Sequence, residues 1–287
     1  MKGKHFKNKN EKKDEHSNKK RKYIKRNKYN NKKYENNKKH INSKMILRKV
    51  VQVISILVFF VCLAITLFWM YSNVQLKKIE NDLSTVVTNI QEDNLKENKE
   101  LIEKGSLKID FTQLKSINSD VIGWIYIKDT DINYPILQTT NNEYYLKNSL
   151  YKTYSSCGSI FLDCNTKKDF SEQNTVIYGH NLKNQKMFAD LEKVYKGELG
   201  DKITIEIYTE EAFKKYMVFA SYMEEPNLKV IQKNWNQEQK TNFIESAIKK
   251  SSIKFSYDME NNKNILTLIT CDSTGKKRII VHAINTD

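Results

Sequence analysis

The sequence predicts a mostly β domain, an eight-stranded closed or nearly closed barrel with peripheral helices, preceded by one transmembrane helix. Three observations predict it. Eight short strand-like runs recur between residues 121 and 284, with few long helical patterns among them. One uncharged apolar run, Val50 to Tyr71, stands ahead of them. The charge is also segregated: the 287-residue chain holds 49 Lys and Arg against 34 Asp and Glu, and its first 49 residues alone hold 20 and 4.

That first stretch, residues 1–49, is a low-complexity tail of Lys, Asn and Tyr. It has too little apolar surface to offset its ordering entropy, so disorder is expected. The remainder holds 29 basic and 30 acidic residues and is close to neutral. The excess positive charge therefore gives no reason to assign the folded part a nucleic-acid ligand.

Val50–Tyr71 comprises 22 residues, which as a helix would reach about 33 Å, matching a hydrocarbon core of roughly 30 Å. A cleaved signal peptide has a shorter apolar region and a small-residue cleavage site, whereas here Ser72, Asn73 and Val74 follow. Arg48, Lys49 and the tail place the N-terminus in the cytoplasm by the positive-inside rule, and everything beyond Tyr71 outside. From Leu76 the residues Leu76, Ile79, Leu83, Val86 and Ile90 step by three and four, so residues 72–106 read as a membrane-proximal helix or linker stopped near Gly105.

The globular domain then spans 107–287. Its strand-like runs are VIGWIYI (121–127), NYPILQ (133–138), GSIFLD (158–163), NTVIYGH (174–180), KITIEIY (202–208), YMVFASYM (216–223), ILTLITC (265–271) and RIIVHAI (278–284). KITIEIY alternates polar and apolar residues, while ILTLITC is apolar on both faces, as a buried strand would be. Between Pro226 and Phe255 an insert carries NQEQKTNFIESAIKK, which reads as a helix between two late strands.

Three chemistry-bearing side chains stand at strand ends. Cys271 closes ILTLITC, Arg278 opens the next strand, and His180 ends NTVIYGH. A thiol, an imidazole and a guanidinium can supply a nucleophile, a proton carrier and an oxyanion partner. Rivals are few. His5, His16 and His40 lie in the tail, and His282 stands four residues along its strand from Arg278, roughly 13 Å away at about 3.3 Å per residue.

Of the other cysteines, Cys62 falls in the apolar span. Cys157 and Cys164 flank GSIFLD at an odd separation that puts them on opposite faces, so two small buried thiols are expected there before a disulfide. Each strand-end residue taken singly also fits a blander role: a buried structural thiol, a surface histidine, a solvated cation. For a Cys–His pair at ordinary acidities only about 1 % would be thiolate–imidazolium, so the site should be a modest catalyst unless substrate reorganises it. No metal or other cofactor is expected, since no His or carboxylate cluster stands at ligand spacing and no Gly-rich phosphate loop is present.

On TLITC (267–271), YGHN (178–181) and Arg278 at the head of the last strand, the chain resembles the sortases, surface-protein transpeptidases of Gram-positive bacteria. INSDVIGWIYI, NYPILQ, NNEYYLKN, GSIFLD and the helix before the cysteine strand resemble class B. The resemblance covers about residues 107–287. It implies an eight-stranded sortase-type barrel with Cys271 as nucleophile, His180 as general acid and base, and Arg278 as substrate and oxyanion partner.

The same resemblance puts Thr270, Ile269, Asn181 and Asp272 beside the substrate. It implies cleavage of an Asn-Pro-X-Thr-type sorting signal after its Thr, with transfer of the surface protein to a peptidoglycan-precursor amine. The position of Ile269 is commonly Ser in class B, so the groove is expected to gain apolar surface and lose a hydroxyl contact. An Ile269→Ser change would then shift peptide preference only modestly. The Cys-to-Arg loop, DSTGKK, is also short. Two other readings stand beside this one: an extracellular cysteine protease on another fold, and a membrane-tethered binding domain without catalysis.

Overall fold

The computed structural model describes residues 4–89, 105–226, 231–256, 263–272 and 274–287. The chain divides into two compact units, Met1–Met70 and Tyr71–Asp287. The described residues of the first unit lie within helix α1, which runs Lys4–Val86. Disorder was expected of the tail, and the structure has helix there instead. The chain holds neither Gly nor Pro from Lys4 to Val86, so neither helix breaker interrupts α1 along its length. The apolar side chains from Val50 to Tyr71 are exposed. Among the described residues one helix is long and apolar enough to cross a membrane, and its apolar window is wholly unburied.

The second unit opens on the last turns of α1. Ile79, Leu83 and Val86 are buried in the main core, as their stepping predicts, and Ile90 lies outside the described residues. The helix stops at Val86, earlier than the sequence suggests. There the chain turns into β1 (Val87–Asn89), which pairs antiparallel with β2 (Leu107–Ile109). The compact unit therefore begins upstream of residue 107. A short helix α2 (Phe111–Ile117) follows, capped by Asp110, whose side chain accepts from the Gln113 N–H.

Eight strands form one closed barrel, and all eight correspond to the strand-like runs in the sequence. They are β3 (Val121–Ile127), β4 (Asn133–Leu137), β5 (Phe161–Leu162), β6 (Asn174–Tyr178), β7 (Thr204–Tyr208), β8 (Phe213–Glu224), β9 (Ile265–Cys271) and β10 (Arg278–Asn285). Around the barrel the order is β10-β8-β7-β3-β4-β5-β6-β9, closing β9 onto β10. Most neighbours are antiparallel, but β4–β5 and β6–β9 run parallel. A helix α3 (Leu191–Lys196) ends at Gly197, whose φ of 75° suits a residue without Cβ.

The period of two along β9 divides the core. Leu266 and Leu268 join the main cluster with Ile125, Ile136, Ile177, Ile207, Val218 and Val281. Ile265 and Ile269 point the other way, into a second cluster with Phe219, Tyr222, Ile280 and Ile284. Helix α4 (Gln237–Lys250) covers that outer layer with Ile244 and Ala247. Its start is fixed by a capping box: Asn236 accepts from the Gln239 N–H at 2.8 Å, and Gln239 Oε1 accepts from the Asn236 N–H at 3.0 Å.

His282 lies wholly buried in this outer layer. Thr267 Oγ1 donates to Asn174 Oδ1 at 2.6 Å, so it can only accept from His282 Nδ1, 2.9 Å away. Nε2 is then left to accept from the Tyr222 hydroxyl at 3.0 Å. Burial, with Lys250 adding to it, pushes the imidazole down to about 3. Between its ordinary value near 6.5 and that value, the unfolded chain binds a proton that the folded chain refuses, so stability falls as pH falls. The slope from this one group reaches about 1.4 kcal/mol per pH unit. Thermal melts between pH 7 and pH 4 should show this decline, and His282→Gln should flatten it. Equal slopes for the two proteins would remove His282 as the cause.

Candidate active site

The pairing of three strands brings the strand-end residues together. Arg278 is the direct antiparallel partner of Cys271. On the other side of β9, the parallel register matches Tyr178 to Ile269. Two residues further along both chains, that register sets His180 beside Cys271. The match is held past the end of β6: the Gly179 N–H donates to Ile269 O at 3.2 Å, and Asn181 Nδ2 donates to Cys271 O at 3.0 Å. Adjacent strands lie about 4.8 Å apart. His180, Cys271 and Arg278 therefore form one row across the outer face, the same face as Ile269.

The ring of His180 is positioned by groups far from it in sequence. Its Nε2 lies 2.8 Å from the carbonyl of Leu146, in the 3-10 turn Tyr144–Leu146. A carbonyl only accepts, so a neutral ring carries its proton on Nε2 and keeps Nδ1 as the basic nitrogen. Gly158 closes this side. At its φ of 57°, a Cβ would stand 2.7 Å from Tyr145 O and 2.9 Å from His180 Cδ2. On the other side, the Phe188 N–H donates to His180 O at 2.8 Å, and Asn181 and Met187 pair across the loop between them. Leu146, Gly158 and Phe188 were not singled out from the sequence as site residues. They reveal themselves only through backbone atoms, which carry no side-chain signal.

Arg278 is half-buried and turns back on its own hairpin, where Nη1 donates to Lys277 O at 3.2 Å and more weakly to Gly275 O at 3.5 Å. Asp272 builds that hairpin. Its two carboxylate oxygens accept from Thr274 Oγ1 at 2.6 Å and from the Lys277 N–H at 2.9 Å, and these bonds hold its carboxyl below the usual carboxylate range. Thr270 is 2 % exposed on the inner face, with a hydroxyl that has no partner among the described residues. Ile269 is also 2 % exposed, inside the layer under α4. Of the residues expected beside the substrate, Thr270 and Ile269 thus have side chains packed in the barrel wall, and Asp272 has one held in its turn.

The four cysteines are free, with Cys157 buried and Cys271 half-buried. Among the described residues no three His, Cys, Asp or Glu side chains gather as a metal site would need.

A family model, the sortase domain, matches residues 125–286. The chain belongs to the sortase family. It is 33 % identical to sortase B of Listeria monocytogenes over 171 residues, covering 59 % of this chain and 70 % of that protein. Among solved structures, Clostridium perfringens sortase B superimposes with a TM-score of 0.58 at 31 % identity, covering 62 % of this chain and 100 % of that one. A Staphylococcus aureus sortase B–substrate complex gives a TM-score of 0.57 at 29 % identity, over 62 % of this chain and 84 % of that one. The chain is a class B sortase, and as such a cysteine transpeptidase.

Proposed function

We propose that this sortase is anchored by Val50–Tyr71 with its barrel outside the cell, and that Cys271, His180 and Arg278 carry its chemistry. The supporting observation is the row that strand register makes of these three residues. His180 Nδ1 takes the proton of the Cys271 thiol as the sulfur attacks the carbonyl of the signal's Thr. The Arg278 guanidinium, leaving its hairpin carbonyls, faces the oxyanion that forms. The imidazolium returns its proton to the departing amine, and a thioester remains on Cys271. An incoming amine attacks that thioester, passes a proton to His180 and releases Cys271 as the new amide forms.

The substrate is a surface protein with an Asn-Pro-X-Thr-type sorting signal, and the acceptor is an amine of a peptidoglycan precursor. Asn181 supports the site from behind, because its bond to Cys271 O fixes the end of β9. The Lys- and Arg-rich tail beside Val50 supports a cytoplasmic N-terminus.

The test is product mass. Residues 72–287 incubated with a set of Asn-Pro-X-Thr-Asn peptides should give a covalent adduct on Cys271, and adding triglycine or a diamino acid should divert it from acid to amide. Cleavage that yields only the acid across several amines would make the domain a protease. In wall-stripped cells, added protease should degrade the barrel and spare the tail; a protected barrel reverses the orientation.

A further inference from the structure

The row that holds His180, Cys271 and Arg278 has a fourth member. The direct partner of Arg278 on β8 is Glu224. The pairing is regular from Arg278 to His282, so both side chains share the face of Cys271. The two oxygens of Glu224 differ. Oε1 accepts from Lys250 Nζ at 2.7 Å, from the last turn of α4. Oε2 is buried and has no hydrogen-bond partner among the described residues.

A buried carboxylate oxygen left unpaired is costly. The nearest cation across the ladder is Arg278, whose own bonds, at 3.2 and 3.5 Å to backbone carbonyls, are weak. Cβ atoms of directly opposed residues lie about 5 Å apart, within the combined reach of an Arg and a Glu. The pieces fit as one device with a vacant contact.

We infer that Glu224 is a positioning residue for Arg278. When substrate draws the guanidinium off its hairpin, Oε2 of Glu224 accepts one edge of it and leaves the other edge for the oxyanion. A guanidinium presents paired donors on more than one edge, so it can hold a carboxylate and an oxyanion at once, which an ammonium cannot do with fixed geometry. Lys250 pins the other oxygen of the carboxylate. The last turn of the helix over the barrel is thereby tied to the row of reacting groups.

This rests on the proposed role of Arg278, and the experiment separates the two. Using the best-cleaved peptide of the Asn-Pro-X-Thr-Asn set, kcat and KM are measured for the parent enzyme, Glu224→Gln, Arg278→Ala and the double variant. Glu224→Gln keeps the shape and removes the charge. It should lower kcat about tenfold while KM stays within about twofold and Tm within about 2 °C. In the Arg278→Ala background the same change should alter kcat by less than twofold. If Arg278→Ala is inactive and Glu224→Gln is normal, the inference fails while the role of Arg278 stands. If Glu224→Gln costs as much without Arg278 as with it, Glu224 is structural and the inference fails again. Full activity in Arg278→Ala would remove both. Glu224→Asp, with the charge kept on a shorter stem, should fall between the parent and Glu224→Gln.

Discussion

Cys271→Ala is expected to abolish turnover, with a loss of roughly 10³-fold or more and no covalent adduct by mass spectrometry. The reason is chemical: the proposed thioester cannot form without the sulfur. The fold should survive, because what Cys271 gives its surroundings is backbone. Its carbonyl accepts from Asn181, and its strand pairing with Arg278 does not involve the side chain. The thiol is half-buried, so the melting temperature should stay within about 2 °C of the parent. His180→Ala should cost about 10²–10⁴-fold, the range of a lost general base, and leave the thiol open to alkylation. A Cys271→Ala enzyme that still converts peptide to amide would remove Cys271 as nucleophile.

How far the sequence carries can be judged from β9. ILTLITC is apolar at nearly every position, and the strand spans Ile265–Cys271, as that run suggests. Its neighbours are another matter. The segments that end in His180 and Cys271 are neighbours because β6 and β9 run parallel, a pairing between stretches some 90 residues apart that no local pattern encodes. Composition and spacing single out the three strand-end residues. Register places Glu224 opposite Arg278, although in the sequence it reads as one more charge before Pro226. GSIFLD shows the opposite error: the strand is confined to Phe161 and Leu162, and the segment begins at Gly158 with a φ of 57°, where a Cβ would meet the His180 ring. β1 was not legible either, since Val87–Asn89 continues a helical stripe and becomes a strand only where Leu107–Ile109 meets it. Tertiary pairing overrode local propensity there.

Ile269→Ser should be among the most destabilising single changes near the site, although the sequence alone suggests a mild shift in peptide preference. The difference lies in which face α4 covers. Ile269 sits between Tyr178 on β6 and Ile280 on β10, in the outer cluster that also holds Phe219, Tyr222 and Trp235. Its side chain is 2 % exposed. Truncating a buried Ile typically costs about 2–5 kcal/mol, and a hydroxyl left without a partner in an apolar layer adds to that. A total of about 3–5 kcal/mol would lower the melting temperature by roughly 6–20 °C for a unit of this size. Ile269→Val keeps most of the volume and should cost about 0.5–1.5 kcal/mol. Well below the melting temperature, Ile269→Ser should retain its peptide ranking, because the lost contacts are to α4 and the barrel. Differential scanning fluorimetry, with cleavage rates on the peptide set at 15 °C, checks both halves. A serine variant that melts within 2 °C of the parent yet reorders the peptides would put Ile269 back in the groove and leave the outer layer indifferent to it.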